Sequence, residues 1–128
     1  MFKQMNDKLP KLLWSPIRDF KEINIGSMVP RRSGIYLLLV KPKNSSLKVF
    51  YVGQTMDLKK RLLQHLSPDE QNSCIKNRKD EFICGYTITE ITYQSDRDRI
   101  EKFLFDYYEP ECNEYDLGGN PIEVNLPK

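Results

Sequence analysis

Gly34-Ile35-Tyr36 and Tyr51-Val52-Gly53 sit on two apolar runs, and the second is followed by Arg61 and His65, four residues apart. Two phenols, a guanidinium and an imidazole in this order match what phosphodiester cleavage requires: an acceptor for a proton of the attacking water, and cationic groups for the charge that grows on phosphorus oxygens. A carboxylate, Glu101, stands farther along. At about 100° per residue it falls on the apolar flank of its helix, between Phe105 and Tyr108, while Arg99, Lys102 and Asp106 take the polar face. A carboxylate so placed wants a cation. A hard divalent ion is one answer, because Mg²⁺ is held by one or two carboxylates with waters and phosphate oxygens in its other positions. An ion pair with Arg97, one turn back, is the other.

Each of these residues also has a plain structural reading. Arg61 suits the non-bridging oxygens of a phosphate, or it is a solvated helix arginine beside Lys59 and Lys60. His65, the sole histidine, can hydrogen-bond a phosphate, a tyrosine or a metal-bound water, or be a packed side chain. Tyr36 and Tyr51 fit a sheet as ordinary aromatics, and a phenol with a pKa near 10 acts as a base only beside a cation or metal-bound water. Gly34, Gly53 and Asn113 read equally well as turn residues.

The elements that must position these groups follow from the apolar pattern. Residues 35 to 40 and 47 to 52 read as two strands joined by a basic turn at 42 to 46, a β-hairpin. Asp57 caps a helix over 58 to 66 with Leu58, Leu62 and Leu66 on one stripe, and Arg61 and His65 one turn apart on its border. Residues 67 to 81 are polar, a loop or a short helix, and 82 to 91 form a third strand. A second helix starts at Ser95 or Asp96, places Ile100, Phe103, Leu104 and Tyr107 inward, and stops at Pro110. Residues 1 to 33 read as an irregular extension anchored by Leu12, Leu13, Trp14, Ile17 and Phe20. Residues 122 to 126 offer an edge strand.

A chain of 128 residues, 39% hydrophobic, suits one domain with a modest core. The net charge of +2 conceals a division. Residues 1 to 79 carry 16 Lys/Arg against 6 Asp/Glu, and 80 to 128 carry 4 against 12. No acid lies between Glu22 and Asp57, so the half bearing both tyrosine motifs would draw a polyanion. Cys74, Cys84 and Cys112 form no close pair and read as reduced thiols. With no apolar signal core at the start and no run near the ~18 apolar residues of a membrane span, the expected setting is cytoplasmic, with no membrane partner.

The order of Gly34-Ile35-Tyr36, Tyr51-Val52-Gly53-Gln54-Thr55, Arg61 with His65, Glu101, and Pro110 with Asn113 resembles the GIY-YIG nuclease domain over roughly residues 33 to 113. That leaves 1 to 32 as an extension packed on the core and 114 to 128 as a tail. The resemblance implies a small α/β (α+β) fold, a central three-stranded antiparallel sheet flanked by helices. It also implies a DNA endonuclease using one divalent ion per site, Mg²⁺ or Mn²⁺, and no nucleotide cofactor. Carried over residue by residue, Glu101 would hold the metal and Arg61 would stabilise the phosphate. Tyr51, or else Tyr36, would take the proton from water, His65 would support that network and Asn113 would hold the site together. Two departures stand out. The connection from Leu37 to Phe50 is longer than in many members, and Gln54 stands where a lysine often follows the second motif, removing a cation that would favour a phenolate. Lys43 and Lys48 of the long loop, with Lys60 and Gln54, are the further candidates to touch the substrate.

An Asp57-Leu58-Lys59 reading as a different nuclease motif fails, because residues 23 to 56 contain no upstream carboxylate, and one histidine cannot build a His-rich metal site. The alternative is a non-catalytic nucleic-acid-binding or protein-interaction module of the same fold. Against it, a carboxylate facing phosphate without a metal would repel it. The expected partner is double-stranded or branched DNA. Since one site cuts one strand, a homodimer or a protein partner would serve double-strand cutting.

Overall fold

Every residue of the strand Gly34–Val40 is buried, so both of its faces must be covered by other parts of the chain. In the computed structural model, which describes residues 11–40, 47–114 and 119–127, two layers of helix do this. The elements run β1 (Arg18–Asp19), α1 (Glu22–Met28), β2 (Gly34–Val40), β3 (Lys48–Thr55), α2 (Leu58–Leu66), α3 (Ser73–Glu81), β4 (Cys84–Glu90) and α4 (Gln94–Tyr108). The strands form one sheet in the order β1-β4-β2-β3, antiparallel throughout. The turn read at 42 to 46 with Lys43, residues 1 to 10 and Gly118 of the tail lie outside the described residues.

Alternation along β2 sorts the core in two. Ile35, Leu37 and Leu39 pack with Ile100 and Leu104 of α4. Tyr36, Leu38 and Val40 pack with Ile25 of α1, Leu58 and Leu62 of α2, and Ile75 of α3. Gly34 is required where β2 meets α2: a Cβ there would collide with the Thr89 carbonyl oxygen on β4 and crowd the Leu58 side chain. A bulge interrupts β3. Leu38 faces Tyr51 but Leu39 faces Val49, so Phe50 is an extra residue, and Phe50 and Tyr51 both turn to the α2 side.

The sheet has four strands, not three, because Arg18–Asp19 pairs with Tyr86 and Gly85 at the free edge of β4. The extension read as irregular therefore contains β1 and α1. A seven-residue helix gains little from propensity and is held by burying Ile25 against α2. Leu12 and Phe20 are buried as expected, but Leu13 is 87% exposed, since the neighbouring backbone turns Leu12 inward to exchange two hydrogen bonds with the Asn125 side chain. That side-chain pairing also takes the place of the edge strand at 122 to 126, where only an isolated bridge at Glu123 forms. The polar stretch after α2 holds a helix, α3, capped by the Asn72 side chain on Ile75 N–H at 3.1 Å. In α4, Tyr107 is exposed and not inward, because the sheet is covered by Ile100 and Leu104.

The reading of three reduced cysteines is corrected: Cys74 and Cys112 form a disulfide and Cys84 is free. The pair is separated by 38 residues and meets because the start of α3 lies against the segment after α4, where Asn72 Nδ2 also donates to the Cys112 carbonyl at 2.8 Å. Among the described residues no helix is long and apolar enough to cross a membrane.

Gly34→Ala is expected to lower the unfolding free energy by about 1–3 kcal/mol, as overpacking against fixed backbone does. Urea denaturation measures it, and an unchanged midpoint would show that β2 and β4 can part at no cost.

Candidate active site

Asp57 Oδ1 accepts the Lys60 N–H at 3.0 Å and starts α2 at Leu58. From that start, Leu58, Leu62 and His65 fall on the buried stripe and Arg61 on its border. His65 is fully buried, and both ring nitrogens are engaged: Nε2 lies 2.8 Å from the Tyr36 hydroxyl, and Nδ1 3.2 Å from each carboxylate oxygen of Glu70. Burial, with Arg61 and Lys79 adding, pulls the imidazole down to about 3, so it is neutral at physiological pH. The contact with Glu70 is thus a hydrogen bond from a neutral ring and not an ion pair.

Tyr36 rises from the central strand opposite Gly53, and a Cβ at Gly53 would strike the phenol ring. Glycine there lets the ring lie across β3. Tyr51, turned by the bulge, stacks on Tyr36 with centroids 6.1 Å apart and meets the His65 ring edge-on at 5.3 Å. Burial raises both phenols above their ordinary pKa, Tyr36 the more strongly. The Arg61 guanidinium opposes that rise at both, as a charge and as a hydrogen-bond donor. Tyr36 is closed off in the core, whereas Tyr51 is partly exposed and lines a cleft of about 390 Å³ with Arg61, Gln64, His65, Ser67, Glu70 and Glu114. Of the two phenols, only Tyr51 reaches this cleft.

Glu101 approaches from α4, past the outer edge of β3. Its half-buried carboxylate accepts the Gln54 amide N–H at 3.0 Å, and among the described residues no cation pairs with it. Arg97 turns away and donates to the Ile91 and Thr92 carbonyls at 3.0 and 2.8 Å. Burial pushes Glu101 up, the Gln54 hydrogen bond pulls it partly back, and the Asp98 charge adds to the rise. Its charge reaches both Tyr51 and Tyr36. A desolvated carboxylate with one amide partner fits a divalent ion that keeps its other positions for water and phosphate. Among the described residues no group of three or more His, Cys, Asp and Glu forms a full metal cage.

Asn113 braces the strand that carries Tyr51. Its Oδ1 accepts the Val52 N–H at 3.0 Å and its Nδ2 donates to the Val52 carbonyl at 2.9 Å, as a neighbouring strand would. Cys112 N–H adds a bond to the Phe50 carbonyl at 2.9 Å. The fold thus gathers Tyr36, Tyr51, Arg61 and His65 and brings Glu101 and Asn113 to the same edge. Of the other substrate candidates, Gln54 reaches the same edge through its bond to Glu101. Gln54 is taken up by Asp98, Glu101, Gln94 and Arg97, and Lys48 and Lys60 are exposed outside the cleft lining. Lys43 lies outside the described residues. Glu70 was not anticipated. Its only sequence signal is a carboxylate five residues past a lone histidine, just beyond the helix end.

Residues 32–116 match the family model described as the GIY-YIG catalytic domain. Similar solved structures include the N-terminal GIY-YIG endonuclease domain of UvrC from Thermotoga maritima with magnesium bound. It is 22% identical, with a TM-score of 0.52 over 72% of this chain and 93% of that one. A point mutant of that domain, bound to its catalytic divalent cation, aligns with a TM-score of 0.51 at 23% identity over 73% and 93%. At these identities the likeness is one of fold. No curated protein matches the chain.

Asn113→Ala leaves the Val52 N–H and carbonyl without their partner and is expected to cost about 1–3 kcal/mol of stability. Chemical denaturation measures this, and wild-type stability would mean that water replaces the amide.

Proposed function

The chain belongs to the GIY-YIG catalytic domain family, and on that premise we propose that it is a divalent-metal-dependent DNA endonuclease whose catalytic unit spans residues 33–113. The observation that carries the reading is Glu101: a half-buried carboxylate with no cationic partner among the described residues, close enough to act electrostatically on the two phenols beside Arg61. A structural role would favour the ion pair with Arg97, which is absent. A binding surface would have no use for a buried negative charge next to its phosphate contact.

Glu101 is the residue that would hold Mg²⁺ or Mn²⁺, one ion per site, and the solved relatives carrying magnesium or a catalytic divalent cation support this. When bound, the ion would act as a Lewis acid at the scissile phosphate and leaving 3′ oxygen, and would cancel the Glu101 charge that disfavours a Tyr51 phenolate. Tyr51 is the general base, receiving the proton of the attacking water at its phenol oxygen. Its place in the cleft supports that role, while closure in the core and a bond to His65 suit Tyr36 to support. Arg61 favours the phenolate and presents its remaining N–H groups to the non-bridging oxygens. His65 orients Tyr36, and Asn113 holds Tyr51 in register. DNA, double-stranded or branched, is the substrate, drawn by the basic half of the chain. One site per chain cuts one strand.

Glu101→Ala is expected to reduce nicking of supercoiled plasmid and of flapped or branched DNA by at least about a thousandfold, several kcal/mol of charge stabilisation being lost, with EDTA abolishing the wild-type reaction. Tyr51→Phe should cut turnover by about 10²–10⁴ with DNA affinity retained. Binding without any metal-dependent cleavage by the folded wild type would sink the nuclease reading in favour of a binding module. Because burial raises Glu101, its hold on the metal should weaken on acidification at a higher pH than for an exposed glutamate. Mn²⁺ titration across pH measures this.

A further inference from the structure

Glu70 lies in the loop between α2 and α3, where its side chain is only 5% exposed, and its carboxylate meets Nδ1 of the fully buried His65. The loop is held in place for this contact. Glu70 N–H donates to the Ser67 carbonyl at 3.1 Å, Glu70 Oε1 also accepts the Asn72 N–H at 3.3 Å, and Lys79 from α3 bonds the His65 carbonyl. Burial raises the Glu70 carboxyl, while the Asn72 N–H and the Arg61 and Lys79 charges oppose that rise and favour its ionised form; an ionised carboxylate can only accept, so the proton of a neutral imidazole facing it must sit on Nδ1. At the other end of the chain of contacts, Arg61 can only donate, and its charge acts on the Tyr36 oxygen. With the proton on Nδ1, Nε2 can only accept, so the 2.8 Å contact must be donated by the Tyr36 hydroxyl.

We propose that Glu70 is a positioning residue of the active site: its carboxylate holds His65 in the tautomer protonated on Nδ1, which makes Nε2 an acceptor and compels the Tyr36 hydroxyl to donate to it. Tyr36 then keeps its oxygen lone pairs for Arg61 and the Tyr51 side, and the donor order runs Arg61 to Tyr36 to His65 to Glu70. The reverse tautomer would place an Nε2–H against the Tyr36 hydroxyl and turn the hydroxyl proton toward the Arg61 guanidinium, two donors face to face. Glu70 thus acts at a distance on the orientation of the phosphate-binding arginine and of the phenol beside the base. This role in catalysis rests on the nuclease reading above, but the tautomer does not.

The experiment uses the single histidine of the whole chain as its own probe. With ¹⁵N-labelled histidine, long-range ¹H–¹⁵N spectra are expected to show wild-type His65 protonated on Nδ1 alone and not titrating between about pH 5 and 8. In Glu70→Ala the Nε2–H form should appear, and kcat should fall about tenfold to a hundredfold, as when the outer partner of a ligating histidine is lost, while KM for DNA holds. Should Glu70→Ala fail to fold, Glu70→Leu keeps most of the volume and offers no acceptor to Nδ1, and the same two quantities are read. A wild-type proton on Nε2, or a folded variant with unchanged tautomer or unchanged kcat, overturns the proposal. If the wild type cleaves no DNA and the tautomer still shifts on substitution, the nuclease reading falls and the hold of Glu70 on His65 stands.

Discussion

Burial of the strand Gly34–Val40 on both faces is the constraint from which the rest of the architecture follows. Seven consecutive buried residues cannot lie on a one-sided sheet, so α4 must cover one face and α1, α2 and α3 the other. Such a strand sits near the middle, which leaves β3 at the edge of the sheet. The edge is where the chemistry collects. Tyr51 leaves β3 toward α2 and shares a cleft with Arg61, while Gln54 leaves it toward α4 and bonds Glu101. An exposed strand edge is normally a hazard for unwanted pairing. Here Asn113 and Cys112 occupy it with three hydrogen bonds to the main chain of Phe50 and Val52.

The electrostatics of the site follow from what is desolvated together. His65 is kept neutral by burial and by the Arg61 and Lys79 charges, so the imidazole serves as a directional hydrogen-bonding group. Burial raises the Glu101 carboxyl and its one amide partner pulls it partly back, and its charge is set against the phenolate that Arg61 favours. Gln54 is central to that balance. Its Oε1 faces Arg97 and Gln94, which forces its Nε2 toward Asp98 and Glu101. A lysine at this position would have neutralised Glu101 directly. The glutamine bridges two carboxylates without doing so, leaving a site with an appetite for positive charge.

The disulfide and the braces around it tie three distant stretches to this edge. Cys74 at the start of α3, Cys112 after α4 and Phe50 on β3 meet within one small region, with Asn72 both capping α3 and bonding the Cys112 carbonyl. The loop that carries Glu70 ends at the same Asn72. The position of Tyr51 on β3 and the position of the carboxylate behind His65 are therefore set by one cluster of contacts, which explains how a polar connecting segment can be held as firmly as a core element.

Local pattern was enough for the hairpin strands, the helix 58 to 66 with its Asp57 cap, and the stop of α4 before Pro110, because apolar periodicity, capping and proline act over a few residues. It was also enough to single out Tyr36, Tyr51, Arg61, His65 and Glu101, whose types and order form a recognisable set. What only the tertiary structure decided depends on contacts between residues far apart in the chain. β1 exists because β4 offers it a free edge, and α1 because Ile25 finds a core. Leu13 is exposed because Leu12 is claimed by Asn125. The pairing of Cys74 with Cys112, the bonding of Gln54 to Gln94, Arg97, Asp98 and Glu101 of α4, and the carboxylate of Glu70 behind His65 have no counterpart in spacing or composition. Hydrogen bonds and burial at long sequence separation are set by how the layers stack, and a sequence pattern with a period of two or 3.6 residues carries no record of that stacking.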